Sequence, residues 1–204
     1  MITQKSVKVK LMARPIQFNR PQALEQSMYL FWENGYTNTS LQQLGEQMDM
    51  RPGSLYAAFK NKRQLFFETL DLYFERSSDG LKQRLQAGDT AMQGIENFFN
   101  LLIDDLVDEK MMKGCLMINT ATELADQDEE IKLKLETMFQ SHEDQFYQIL
   151  TQAKLEGQLS ENSDPQALAR FLLMGVRGLK VYSQTDNSRE KLQSLINTLL
   201  SVIR

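Results

Sequence analysis

The stretch TSLQQLGEQMDMRPGSLYAAF, residues 39–59, limits the fold more than any other part of the chain. Leu41, Leu44 and Met48 form one apolar stripe at helical spacing, and Leu55 and Phe59 form a second. Pro52 stands between them. It disfavours helical geometry at Arg51 and suits the first turn of the next helix. Thr39 or Ser40 can cap the first of these helices. Two short helices joined by a tight turn need bracing on both sides, and the flanks supply it. Upstream, PQALEQSMYLFWENG carries Ala23, Leu24, Met28, Phe31 and Trp32 at helical spacing, with Gly35 placed to end the helix. Downstream, Leu65, Phe66, Thr69, Leu70, Tyr73 and Phe74 mark a longer helix. The arrangement is a helix-turn-helix, whose second helix enters a DNA major groove by its N-terminal end.

Charge is distributed to match. The 204-residue chain has a net charge of -4. Residues 1–70 hold nine Lys and Arg against five Asp and Glu, which is +4, and residues 71–204 hold 14 against 22, which is -8. A basic head on an acidic body assigns the polyanion to the head. Gly53 and Ser54 are small enough for close backbone approach, Pro52 opens the helix, and Tyr56 can put its hydroxyl on a phosphate. Lys60 and Lys62 lie just past the helix, where they can neutralise the flanking strand.

Over about 50 residues, roughly 20–70, the sequence resembles the TetR family of bacterial transcription regulators. The resemblance rests on Gly35-Tyr36, Thr39-Ser40, Met50 in the turn, Gly53-Ser54-Leu55-Tyr56, Phe59, Lys62 and Leu65. It implies an all-α protein of about nine helices. Residues 1–18 would be a flexible basic arm, 19–70 the DNA-binding domain, and 71–204 a ligand-binding and dimerisation domain. It also implies phosphate contacts at Thr39, Tyr56 and Lys62, with base edges facing Gln42, Arg51, Ser54 and Ala57. Arg51 would take guanine and Gln42 adenine; the alternative for each is solvated surface. Two positions depart from the family pattern. Ala58 replaces a frequent phosphate-contacting histidine, and Asp49 replaces a frequent turn glycine, which requires a left-handed Asp or a different turn. Lys5, Lys8, Lys10 and Arg14 in the arm can track phosphates or belong to an uninvolved tail.

The body reads as further helices. FLLMGVRGLKVY, residues 171–182, is apolar over much of its circumference and contains Gly175 and Gly178, which permit close helix approach. Phe171, Leu179 and Tyr182 from this segment, with Leu192, Leu195, Ile196 and Leu199 from the last helix, are expected to form a dimer through an intermolecular four-helix bundle. The alternative is a tight internal core. Phe98, Phe99, Leu102, Phe139 and Phe146 are core by spacing, yet with the 11 methionines they can also line an adaptable pocket. Asn119, Thr122, His142, Met174 and Arg177 are the candidates to complete it; His142 is read first as a hydrogen-bonded core or interface histidine, and Asn119, Thr122 and Glu123 can equally pair with each other or with solvent. Cys115, in GCLMINTATEL, is read as a small buried hydrophobe, against the alternative of a reactive thiolate near a helix N-terminus.

Other functions fare poorly. One histidine and one cysteine make neither a multi-ligand metal site nor an internal disulfide, and no cofactor is expected. Phosphate-loop and nucleophile-elbow motifs are missing, so an enzyme is not expected. No apolar run approaches the roughly 18 residues of a membrane span, and a cytoplasmic protein is the default. The expected function is a ligand-responsive transcriptional regulator. It would be a repressor that binds a palindromic operator, double-stranded DNA, as a homodimer and leaves it when an unidentified small molecule binds. An activator of the same build and a protein-binding helical adaptor are the alternatives.

Overall fold

The computed structural model describes residues 19–108 and 114–203. The basic arm expected over residues 1–18 therefore lies outside the described residues. Among those described there are nine helices: α1 (Arg20–Asn34), α2 (Leu41–Gln47), α3 (Pro52–Phe59), α4 (Lys62–Leu85), α5 (Ala91–Val107), α6 (Leu116–Leu124), α7 (Glu129–Leu155), α8 (Pro165–Tyr182) and α9 (Arg189–Leu200).

Local chemistry sets most of the boundaries. Asn19 caps α1, and Gly35 ends it at φ 77°. Of the two candidate caps for α2, Ser40 is the one used. Its hydroxyl accepts from the Gln43 amide, and the Gln43 side chain accepts from the Ser40 amide, which completes a capping box. Asp49 adopts the left-handed geometry that its place in the turn demands, at φ 51°. Lys60 also has a positive φ, 63° with ψ -57°, and the Asn61 amide donates to the Phe59 carbonyl at 2.7 Å, a γ-turn that carries the chain from α3 into α4.

Two apolar cores are threaded by the same two long helices. One holds Phe31, Leu44, Leu55, Phe59 and Phe66 from α1–α4, and continues through Leu116, Met117 and Leu124 of α6 into Ile131, Leu135 and Met138 of α7. The other holds Ile95, Phe99 and Leu102 of α5, Phe146 and Leu150 of α7, and Leu172, Leu192 and Ile196 of α8 and α9. The 70/71 division read from the sequence falls inside α4, and the first core reaches well beyond it. Cys115 is buried in that core at the N-cap of α6. Burial, and then the adjoining Cys115, push the Tyr73 phenol well above its usual range.

At the α4–α5 corner the two backbones meet closely. Gly94, in the first turn of α5, lies against the Leu85 carbonyl at the end of α4, and a Cβ there would collide with it. Gly80, inside α4, has open space around it. Gly94→Ala is expected to cost about 3 kcal/mol through backbone displacement. Gly80→Ala is expected to add up to about 1 kcal/mol by raising helix propensity. Urea unfolding of the two variants checks the opposite signs.

Candidate nucleic-acid interface and effector site

α3 presents its N-terminal turn outward. Leu55 and Phe59 are buried, whereas Arg51, Pro52, Gly53, Ser54, Tyr56 and Ala57 are all exposed. Arg51 is the N-cap residue and gives no side-chain cap; Pro52 has no N–H and the Ser54 amide donates to the Arg51 carbonyl at 2.9 Å, so the Gly53 amide is the one left to an acceptor from outside. No ion pair engages Arg51 among the described residues. Ser40 and Gln42 are exposed beside it on α2, with the Gln42 amide donating to Glu46 at 2.9 Å. Lys60, the C-cap residue of α3, is also exposed.

Two expected phosphate contacts are placed differently. Thr39 is fully buried, and its hydroxyl donates to the Gly35 carbonyl at 2.6 Å. It closes the α1–α2 turn and offers no side-chain surface to a phosphate. Lys62 is half-buried, with its ammonium 4.3 Å from the centre of the Tyr36 ring. Burial pulls its pKa down, and Glu123 pulls it up.

Glu123, which the sequence leaves open to a ligand, to its neighbours or to solvent, takes a different role. It projects from α6 into the α1–α2 turn, where its carboxylate accepts from the Tyr36 amide at 3.0 Å and the Thr37 amide at 2.7 Å. A Cβ on Gly35 would stand 2.7 Å from that carboxylate, so the glycine both ends α1 and admits the acid. A second fastening lies at the head of α4. Arg63 forks onto the Asp128 N-cap of α7 and reaches Glu130 at 2.7 Å. The Arg63 hydrogen bond holds the Asp128 carboxyl down at about 2. No local signal in the sequence marks the partners of either acid.

The expected effector pocket divides. Phe98, Phe99 and Phe146 pack edge to face or tilted, at centroid distances of 5.1–6.4 Å, and with Leu102 belong to the second core. Thr122 is exposed and donates to the Asn119 carbonyl at 2.9 Å. Met174 is 60% exposed on the outer face of α8. Those two stand apart from the rest, because their side chains leave the interior. Phe139 and His142 lie beside Arg177, on which Cys115 also acts, whereas Asn119 lies beside Gly114. The Arg177 guanidinium lies 4.2 Å from the Phe139 ring centre, and His142 packs on Phe74 at 5.4 Å. Burial, with Lys180 and Arg177 nearby, holds His142 down to about 4.

The expected dimer residues divide as well. Leu179, Leu192 and Ile196 are buried in the chain's own core, so they have no surface left for a partner. Gly175 lies against Leu199, whose methyl carbon would be 2.5 Å from an added Cβ, so that close approach is within the chain. Phe171 and Leu199 are half-buried. Gly178 and Tyr182 face outward on α8, and Leu195 faces outward on α9. Beside them Met174, Val181 and Val202 are exposed, a set that the apolar stripes alone did not separate from the core. No helix among the described residues is long and apolar enough to cross a membrane.

Residues 23–69 match the family described as bacterial regulatory proteins, tetR family, and residues 91–199 match the tetracyclin repressor-like C-terminal domain. The uncharacterized HTH-type transcriptional regulator YezE of Bacillus subtilis is 31% identical over 94% of this chain and 100% of its own length. The HTH-type transcriptional repressor ComR of Escherichia coli is 30% identical over 94% of this chain and 91% of its own. Among solved structures, a cysteine mutant of the TetR family regulator CifR, complexed with 26-bp double-strand operator DNA, superposes with a TM-score of 0.84. It is 27% identical and covers 94% of this chain and 100% of that one.

The depressed His142 sets a pH dependence. Its ordinary pKa is 6.5 and its folded value about 4, so between these the unfolded chain binds a proton that the folded chain refuses. Stability therefore falls as pH drops from about 6.5 to about 4 and levels off below, by on the order of 2–3 kcal/mol. His142→Gln is expected to flatten this part of the profile in urea titrations at stepped pH. An unchanged slope would place the imidazole in solvent.

Proposed function

The chain belongs to the TetR family of bacterial regulatory proteins, and on that premise we propose that it is a dimeric repressor released from its operator by a small molecule. It is a helix-turn-helix transcriptional regulator, with full-length relatives that include a repressor and a close structural likeness in a regulator complexed with operator DNA. The observation that carries the DNA-binding part is the exposed, uncapped N-terminal turn of α3 with an arginine free of acids. Arg51, Ser54 and Ala57 are the base-facing set, with Gln42 beside them. Ser40, Tyr56 and Lys60 are the backbone-facing set, and Pro52 and Gly53 allow the approach.

Release follows from the fastenings. Both Glu123 and Asp128 hold the head from α6 and α7. An effector that shifts those helices moves the reading heads of a dimer relative to each other. Coupling of about 1–3 kcal/mol between the two sites suffices to relieve repression.

Four variants, titrated on operator selected from random DNA and on scrambled DNA at several salt concentrations, test the interface. Arg51→Ala should cost about 1–3 kcal/mol per half-site and relax one base position. Lys60→Ala should weaken both DNAs and flatten the salt slope by roughly one charge per subunit. Lys62→Ala should change the slope less, because its ammonium already sits over Tyr36 beside Glu123. Glu123→Ala should weaken operator binding without any DNA contact of its own. Full discrimination by Arg51→Ala, together with an unchanged slope for Lys60→Ala, would overturn the placement of α3.

The dimer is assigned to the outward faces of α8 and α9, around Gly178, Tyr182 and Leu195. Nothing in the chain lies within 4 Å of a Cβ at Gly178, so Gly178→Leu leaves the subunit fold intact. It is expected to split the dimer in sedimentation runs. A wild-type chain that sediments as a monomer at micromolar concentration would refute the assignment.

A further inference from the structure

Eight arginines lie among the described residues, and six of them are in ion pairs: Arg20, Arg63, Arg76, Arg84, Arg170 and Arg189. Arg51, at the tip of the reading head, is one of the two without an acid. The other is Arg177, and its setting is different. Arg51 is exposed, whereas Arg177 is half-buried inside the body, where burial works against its charge. Glu143 is the acid that acts on Arg177, but its carboxylate is already engaged by Arg170 at 2.9 Å and by the Gln166 amide. The face of Phe139 is what the guanidinium has instead.

The neighbours add to the imbalance. Lys180, one turn along α8, has no ion pair among the described residues and acts on the same His142 as Arg177 does. His142 stays neutral between them. On the same helix, one turn from His142, the Gln145 amide donates to Ser78 at 2.6 Å, but its carbonyl oxygen is buried without a donor. A buried acceptor left open costs about 1–3 kcal/mol. The layer between α4, α7 and α8 thus holds two cations without an ion pair among the described residues, one acceptor without a donor, and the aromatic faces of Phe74 and Phe139.

We propose that this layer binds the carboxylate of a small apolar acid, with Arg177 as the anion-binding residue, Lys180 as supporting charge, and Phe74 and Phe139 against the acid's apolar body. The planar guanidinium fork matches a carboxylate in two parallel hydrogen bonds, which an ammonium cannot reproduce. A hydroxyl or N–H on the same molecule would satisfy Gln145. This identifies the chemical class of the effector, and it rests on the reading of the chain as an effector-released regulator.

The test uses the full-length protein with benzoate, phenylacetate and octanoate, each set against its primary amide. Thermal unfolding reads binding, because a ligand of the folded state raises Tm with concentration. Operator affinity is read in parallel on wild type, Arg177→Gln and Arg177→Lys. At least one acid should raise Tm and weaken operator binding, and its amide should do so about tenfold more weakly or not at all. Arg177→Gln should bind that acid about tenfold or more weakly, with Arg177→Lys in between. Wild-type operator affinity without acid shows that the variants are folded. Should Arg177→Gln fail this check, the acid-against-amide comparison on wild type and Arg177→Lys decides alone. The site is overturned if no acid in the panel raises Tm, if acids and amides act alike, or if Arg177→Gln responds as wild type does. If an acid binds through Arg177 and leaves operator affinity unchanged, the site stands and the release reading falls. If operator release by the acid survives in Arg177→Gln, release stands and the site falls.

Discussion

The carboxylate of Glu123 on the amides of Tyr36 and Thr37 is the contact on which the placement of the reading head depends. Those two amides follow the end of α1 and lie outside its hydrogen-bonded turns. An acid from another helix satisfies them at the point where α1 gives way to α2. Gly35 is left-handed at the same point, and the absence of a Cβ there is what lets the carboxylate in. Lys62 stacks on Tyr36 directly beside it, so one acid orders both the turn before α2 and the first residue of α4. With Arg63 fastened to Asp128, the head is held from both sides by the α6–α7 connection.

The cores agree with these fastenings. The apolar interior of the head does not close on α1–α4 alone. It is completed by Leu116, Met117 and Leu124 of α6 and by Ile131, Leu135 and Met138 of α7. A small three-helix unit buries too little surface to be rigid by itself, and here the body supplies the missing wall. Head and wall must therefore move together, and displacement of α6 or the first half of α7 is felt at α2 and α3.

Helix content, and the turn between α2 and α3, were legible because they are local. Periodicity fixed the buried faces, Pro52 marked the start of α3, and of the two options open at Asp49, a left-handed residue or a different turn, the structure takes the first. What periodicity does not carry is the identity of the partner. Leu179, Leu192 and Ile196, expected at the dimer with an internal core as the alternative, pack inside the chain, while the outward surface of α8 falls to Met174, Gly178 and Val181. Thr39 has the residue type of a phosphate contact, yet a carbonyl four residues back captures its hydroxyl. Glu123 is separated from its partners by 86 and 87 residues, a span over which no spacing rule operates.

Phe139 connects the proposed acid site to the head in a single layer of side chains. One side of it carries the Arg177 guanidinium, and it also packs against the core that Leu135 and Met138 share with α1–α4. The N–H donors of a stacked guanidinium lie in its plane, so Arg177 can chelate a carboxylate at its edge while its face stays on Phe139, and the bound anion then fixes its position over the ring. Charge also changes sign in its effect. Without an anion, Arg177 and Lys180 repel across His142, and with one bound they are drawn together. Both changes act on the segment of α7 that begins at Asp128, where Arg63 is tied, and that packs beside α6, where Glu123 projects. The difference between bound and free states is thereby delivered to the two fastenings of the reading head through contacts already present in the fold.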